Sequence, residues 1–417
     1  MRVLWFTNAF ATKYYGYGWV SSLEEKVSPL VTLKVANVRP VDTRAARIKK
    51  LLFGFGAEDR YLCKKYLEAV EDFKPDIIQI FGSEHAFGLI AGKVTCPVIL
   101  HVQGIMGPYF KAYMPKGMSW TSYILSAGNF GGAVGRLYTL RRWRHAVARE
   151  KKILGMVRNY LCRTEWDKAE TLKAHPGARI FEGGEVLRRE FYSQPVPAGK
   201  PDGKYTIVTT ISEPPYKGMD LVLRAGKLLR EGGYDFVWKV FGDVDPRYFE
   251  RRTGISCDAA GITLCGVADA AMLAGELSAC DLYVHPSYID NSPNSVCEAQ
   301  MMGAPVVAAA CGGVPSLVEE GRTGFLFPAG DAPALVKLIE RAIAKEIPDQ
   351  VGNDGEVVGN DGEVVGNDGK AVRNDWLPVS DIVRTARETA LKRHDPERIV
   401  TELLKVYKEL LSAALPA

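Results

Sequence analysis

Short apolar runs alternate with longer amphipathic stretches along this 417-residue chain, and no other feature narrows its folding options as much. The runs fall at residues 3–7, 31–36, 76–81, 97–102 and 160–162 in the first half. In the second half they fall at 205–210, 236–241, 262–264, 282–285, 306–309 and 325–327. Several are apolar throughout rather than alternating, which suits strands covered by helices on both faces of a parallel sheet. Between the two series, residues 193–203 are polar and rich in Pro and Gly, with neither a helical nor a strand period, so they read as a linker. An α/β protein of two doubly wound domains is expected, at 1–195 and 203–395, in keeping with a length well beyond one ordinary core. Residues 396–417 hold a terminal helix whose Ile399, Leu403, Tyr407 and Leu410 share one stripe and require a partner surface.

The 53 Lys and Arg against 49 Asp and Glu leave a net charge of +4, too even for a nucleic-acid carrier or a disordered acidic chain. The eight cysteines stand singly, with neither a C-x-x-C pair nor zinc spacing, and most sit in apolar runs as reduced core cysteines do. The apolar run after Met1-Arg2 is five residues long, short of the roughly 7–15 of a secretory signal. No stretch approaches the ~18 apolar residues of a spanning helix. A cytoplasmic protein is expected. Residues 351–371 repeat a seven-residue unit three times, each opening on Val-Gly-Asn-Asp-Gly or its equivalent. The unit matches no calcium-binding repeat and reads as a flexible loop expanded by duplication.

Chemistry concentrates between His285 and Val307. A strand runs into a polar loop, 290–295, which opens a helix ended by Gly303 and Pro305. Such a loop gathers free backbone N–H groups and the positive end of a helix dipole, a ready site for a diphosphate. No G-x-x-x-x-G-K-[ST] or G-x-G-x-x-G joins a strand to a helix, which weighs against NTPases and dinucleotide dehydrogenases. Ser295-Val-Cys-Glu298 is also a capping box, in which Glu298 merely returns to the Ser295 amide. Spacing alone leaves both readings open.

The neighbours of this stretch add Asp290-x7-Glu298, Gly303-Ala-Pro305-Val-Val, Cys311-Gly312-Gly313-Val-Pro315-Ser-Leu-Val-Glu319, Gly321-Arg-Thr-Gly324-Phe-Leu and Gly330-Asp331. Upstream stands Tyr216-Lys217-Gly218-Met-Asp220-Leu-Val-Leu. In order and spacing these residues resemble the retaining family-four glycosyltransferases of GT-B fold, Asp290 departing from the family's Glu. The likeness covers most of 203–331. The first half is looser, through the Gly16-Tyr-Gly18 loop and Lys74-Pro75-Asp76-Ile-Ile, while 163–167 and 187–192 resemble a subgroup associated with bacterial surface polysaccharides.

The resemblance implies two Rossmann-like domains facing across a cleft, with the terminal helix packed back on the first. It implies transfer of a sugar from a UDP- or GDP-sugar, a substrate rather than a cofactor, to a glycan or lipid-linked acceptor. Position by position, Asp290 would hold sugar hydroxyls, and Asn291, Ser292, Asn294 and Ser295 would cradle the diphosphate. Glu298 would accept from the ribose hydroxyls, Lys217 would neutralise the departing β-phosphate, and Gly266 and Val267 would meet the base. Gly16 and Gly18 would let the first-domain loop approach closely. Ser212 stands where the family carries Arg, and Gln103 where it carries a His near the reacting carbon. A neutral Gln orients hydroxyls but takes no proton, so retention with a phosphate oxygen as proton acceptor, and without a metal, is implied. A GT-B UDP-sugar epimerase and an inactive sugar-nucleotide-binding scaffold are the alternatives.

Three further features are weighed. His101 reads as a core or supporting histidine. Asp243-Val-Asp245 reads as a turn rather than a metal site. Residues 136–152 hold seven Lys or Arg and one acid, Glu150, with Tyr138 and Trp143 interleaved and Tyr109, Phe110, Tyr113, Trp120 and Tyr123 nearby. A basic, aromatic helix suits an anionic inner-membrane surface or a plain solvated face, and the implied acceptors favour peripheral membrane contact. Nucleic acid is excluded as a partner, for want of a recognition module.

Overall fold

The structure, a computed structural model, describes residues 1–8, 18–36, 38, 40, 42–193, 204–343 and 379–414. The repeat at 351–371, Gly16 and all of the expected linker but Ser193 lie outside these residues. Two six-stranded parallel sheets carry the chain. The first contains β1 (Arg2–Phe6), β2 (Thr32–Ala36), β3 (Ile77–Phe81), β4 (Val98–His101), β5 (Asn159–Cys162) and β6 (Arg179–Glu182), in the order β2-β1-β3-β4-β5-β6. The second contains β7 (Tyr205–Thr210), β8 (Phe236–Phe241), β9 (Ile262–Gly266), β10 (Leu282–His285), β11 (Val306–Ala309) and β12 (Phe325–Phe327), in the order β12-β11-β10-β7-β8-β9.

The continuous apolar runs became central strands: β3, β4, β10 and β11 are buried at every residue. One strand was not expected. β6 (sequence RIFE) pairs with β5 at the sheet edge, with both charged ends exposed and only Ile180 and Phe181 partly covered. An edge strand buries too little to write an apolar run into its sequence.

Helices that matter below are α1 (Trp19–Val27), α2 (Arg44–Phe53), α3 (Trp120–Leu125), α4 (Phe130–Met156), α5 (Asn294–Met301) and α6 (Pro396–Ala414). The stripe read on α6 packs against the first sheet, where Ile399, Val400, Leu403, Tyr407 and Leu410 join Val3, Trp5, Ile77 and Ile99 in one core. Tyr407 is fully buried; its hydroxyl accepts from Trp5 Nε1 at 3.0 Å and bonds the Gln79 amide oxygen. The helix Val379–Arg393 immediately before it serves the second core instead, through Ile382 and Ala390.

The chain therefore crosses between lobes near His394, and an earlier crossing lies beside it. Leu187 and Phe191, which the sequence placed in the first domain, are buried in the second core. Tyr192 Oη donates to His394 O at 2.7 Å, and His394 Nδ1 lies 2.9 Å from Glu185 O, so the two crossings are bonded together.

Tyr407→Ala should empty a fully buried site and cost about 3–5 kcal/mol, read as a lower denaturation midpoint, while exposed Lys405→Ala should stay within about 0.5 kcal/mol of wild type.

Candidate active site

In a doubly wound sheet, ligands collect beyond the carboxyl ends of strands where the order reverses. That point lies between β1 and β3 in the first sheet and between β7 and β10 in the second. The segments that leave these four strands line two adjoining cavities. One, about 610 Å³, is bordered by Gly18, Ser212, Lys217, Asp243, Val267, His285, Asn294, Ser295 and Glu298. The other, about 1190 Å³, belongs mainly to the first lobe and reaches Tyr109, Tyr216 and Asp290. Asn8, Glu84, Gln103 and Lys217 border both, so the cavities meet at these residues.

Lys217 ends a short turn, Pro215–Lys217, and Gly218 follows with φ +86°. A Cβ at Gly218 would lie 2.2 Å from the Pro286 carbonyl oxygen, so only glycine lets this turn lie against the segment after β10. Lys217 Nζ donates to Asp290 Oδ2 at 2.6 Å, and Tyr109 Oη donates to Asp290 Oδ1 at 3.2 Å. Burial opposes ionisation of Asp290, yet Lys217 and His285 beside it hold its carboxyl well below the usual carboxylate range. Burial likewise opposes charge on Lys217, and Asp290 outweighs it, holding the ammonium group above its ordinary value. The pair is ionised.

The capping box does not form. Pro293 occupies the N-cap of α5 with no side-chain cap, leaving its first amides uncapped beside the smaller cavity. Glu298 turns instead to Arg188, whose Nη2 and Nε lie 2.8 and 3.3 Å from Oε1. Burial raises the Glu298 pKa and Arg188 counteracts it.

Asn291 and Ser292 do not line either cavity. Asn291 Oδ1 accepts from Thr164 Oγ1 at 2.6 Å, and its Nδ2 donates to Asp167 Oδ2 at 2.8 Å and to Gln103 O at 3.2 Å. Ser292 Oγ donates to Glu185 Oε2 at 2.8 Å, and Glu185 pairs with the buried Arg163. Both side chains bind the lobes together rather than cradling an anion. Gly313 completes the joint: a Cβ there would sit 2.1 Å from Asn291 O and 2.6 Å from Thr164 Oγ1. Gly266 ends β9 with φ +70°, one residue before Val267 at the cavity wall.

His101 is buried between the Trp19 and Phe81 rings, 4.9 and 5.7 Å away, and serves the core. Asp245 pairs with Arg247 at 2.6 Å while Asp243 borders the smaller cavity. Among the described residues no group of three or more His, Cys, Asp or Glu is placed to hold a metal.

The aromatic interleaving around α4 points inward: Tyr113 stacks on Trp120 at 4.5 Å, and Tyr109, Trp143 and Tyr216 join the same cluster. Glu150, the one acid in the basic stretch, is buried and accepts from Ser83 Oγ at 2.5 Å and the Met106 and Gly107 amides.

Two residues escaped the sequence reading. Arg188 lies in a segment that resembled a subgroup but suggested no role. Glu84 follows β3, and only its place past the end of a strand at the order reversal marks it. Burial pushes its carboxyl up to about 7, with Glu150 adding to the shift and Arg163 and Arg149 opposing it.

A family model described as Glycosyl transferases group 1 matches residues 204–345. The chain carries a glycosyl transferases group 1 domain. Over 152 residues it is 30% identical to the D-inositol 3-phosphate glycosyltransferase of Streptomyces scabiei, covering 33% of each chain. Over 129 residues it is 29% identical to the putative colanic acid biosynthesis glycosyltransferase WcaL of Salmonella typhimurium, covering 28% of this chain and 31% of that one. The match thus spans about a third of the length of these curated relatives. Over nearly the whole chain, solved structures carry the comparison. Sucrose-phosphate synthase from Thermosynechococcus elongatus aligns over 99% of both chains with a TM-score of 0.69 and 15% identity. Anabaena HepE in complex with UDP-glucose aligns over 98% of this chain and 100% of its own, at TM-score 0.62 and 15% identity. Both lobes together therefore have the GT-B fold.

Asn291→Ala should leave the buried Thr164 and Asp167 side chains short of a partner and cost about 1–3 kcal/mol, measured by chemical denaturation.

Proposed function

We propose that the protein is a retaining, metal-independent hexosyltransferase that moves a sugar from a UDP- or GDP-sugar to a glycan or lipid-linked acceptor in surface polysaccharide synthesis. The observation that carries this reading is the junction itself: two cavities of unequal size meet at Lys217, with the uncapped start of α5 on the smaller one. Breaking a glycosyl–phosphate bond places negative charge on the departing diphosphate, and fixed donors aimed at it are the strongest catalytic lever available. Lys217 spends one N–H on Asp290 and keeps two for a phosphate oxygen. The Asn294 and Ser295 amides supply the rest of the positive field. Glu298, braced by Arg188, presents its carboxylate to the ribose diol, while Ser212, Val267 and Gly266 frame the nucleoside and Gly18 closes the first-lobe side. Gln103 orients sugar hydroxyls at the junction, where Asp290 fixes Lys217.

The relatives support the biological setting: WcaL is named for colanic acid biosynthesis and AmsK of Erwinia amylovora for amylovoran biosynthesis. The HepE structure holds UDP-glucose, which supports a nucleotide-sugar donor. Among the described residues no helix is long and apolar enough to cross a membrane.

Incubation with UDP- and GDP-sugars tests the reading. Slow release of free nucleotide, faster with acceptor, is expected; a C2-inverted sugar would indicate an epimerase, and binding without turnover a scaffold. Lys217→Ala should lower nucleotide release by about 10²–10³-fold with little change in donor affinity.

Glu84 favours a second route for the acceptor's proton, since it borders both cavities and titrates near neutrality. A base works ionised, so that route predicts turnover rising with pH through about 7 and a loss of about 10²-fold or more in Glu84→Gln. Transfer to the departing phosphate predicts that Glu84→Gln retains most of the wild-type rate and pH profile.

A further inference from the structure

A nucleoside diphosphate carries negative charge on both phosphorus centres and gains more as the sugar departs, so one cation leaves part of that charge unmet. Of the described residues that border the smaller cavity, only Lys217 and Arg188 are Lys or Arg, against the acids Glu84, Asp243 and Glu298. Ser212 on the same wall brings a hydroxyl and no charge. His285 is buried, and that burial lowers its pKa and keeps the ring neutral.

Arg188 is fixed in place on two sides. It precedes a short turn, Arg189–Tyr192, and its neighbours Leu187 and Phe191 are buried in the second core. Its guanidinium carbon lies 4.9 Å from the centroid of the Phe191 ring. Nε and Nη2 both donate to Glu298 Oε1, while Nη1 has no hydrogen-bond partner among the described residues. A guanidinium carries five N–H donors in a rigid fork suited to phosphate oxygens. Neutralising the buried Glu298 carboxylate therefore occupies one edge of Arg188 and leaves the other. The side chain keeps 22% exposure and borders the smaller cavity.

Its position selects one phosphate. Lys217 stands where the two cavities meet, whereas Arg188 borders the smaller cavity alone and is tied to Glu298. Glu298 lies about one turn along α5 from the uncapped Asn294 and Ser295 amides. With its carboxylate on the ribose diol, the next group along the donor is the α-phosphate, and the β-phosphate follows at Lys217. We infer that Arg188 is a donor-binding residue whose free edge holds the α-phosphate of the nucleoside diphosphate, so that each phosphorus has its own cation. The assignment rests on the transferase reading above and extends it to a residue from the segment that crosses between the lobes.

Calorimetric titration of the full chain with uridine, UMP and UDP, and with guanosine, GMP and GDP, tests it in wild type, Arg188→Gln and Arg188→Lys. Gln keeps an N–H for Glu298 but carries no charge. In the series that wild type binds, Arg188→Gln should lose about tenfold or more in affinity for the monophosphate and the diphosphate. It should hold the nucleoside within about threefold. Arg188→Lys should recover part of the loss for the phosphates alone, and it carries the comparison where the Gln variant fails to fold. An equal loss for nucleoside and monophosphate would overturn the proposal, because Arg188 would then only brace Glu298. So would an undiminished monophosphate affinity, a loss confined to the diphosphate, or a Lys variant no better than Gln. Each of these leaves the transferase reading standing as long as wild type binds one series; wild type that binds neither would remove that reading and this site together.

Discussion

The buried amide of Asn291 holds the two lobes in register. Its side chain belongs to the second lobe, yet all three of its bonds go to the first, to Thr164, Asp167 and the Gln103 backbone. Because it has no exposure, those bonds have no water to replace them and their loss would strand polar groups. Asp290 is its neighbour in the chain, Gln103 is its partner, and Lys217 is held by Asp290. Of the groups at the junction of the two cavities, Gln103 is positioned by this contact directly and Lys217 through Asp290.

Around that anchor the cleft is a set of compensated charges. Lys217 with Asp290, Arg188 with Glu298 and Arg163 with Glu185 each place an ion in a desolvated setting beside its counter-ion. Pairs of this kind are weak sources of stability, because desolvation offsets most of the Coulomb attraction. Their value lies in geometry: a cation fixed in advance needs no rearrangement when negative charge develops next to it. Glu84 differs from the others. Burial pushes its carboxyl up to about 7, and one of its oxygens is buried without a hydrogen-bond partner among the described residues, as is Glu185 Oε1.

Much of the fold was legible in the chain because central strands must be apolar on both faces, and the runs at 77–81, 98–101, 282–285 and 306–309 could hardly be anything else. Strand β6 was not, since an edge position lets Arg179 and Glu182 face water. The site divides the same way. The loop into α5 could be located from strand, polar stretch and helix period, but spacing carries no information on which side of a loop a residue faces. Asn291 and Ser292 were thus expected at the diphosphate and stand instead at the lobe joint. Arg188 and Glu84 come from the other half of the chain, and only the tertiary fold brings them to the cleft. The aromatics near α4 show the limit of composition: Trp143 between arginines and Tyr113 between Lys111 and Lys116 look amphipathic in sequence, yet their rings found one another.

The placement of α6 bears on how such a chain is made. Trp5 and Gln79 are synthesised ahead of the second lobe, and the hydroxyl that satisfies them arrives more than three hundred residues later, on Tyr407. A nascent first lobe must therefore wait, with one sheet face covered by α1 but not yet by α6, while the second lobe emerges and folds behind it. The lobe that leaves the ribosome ahead of the other is the last to be sealed.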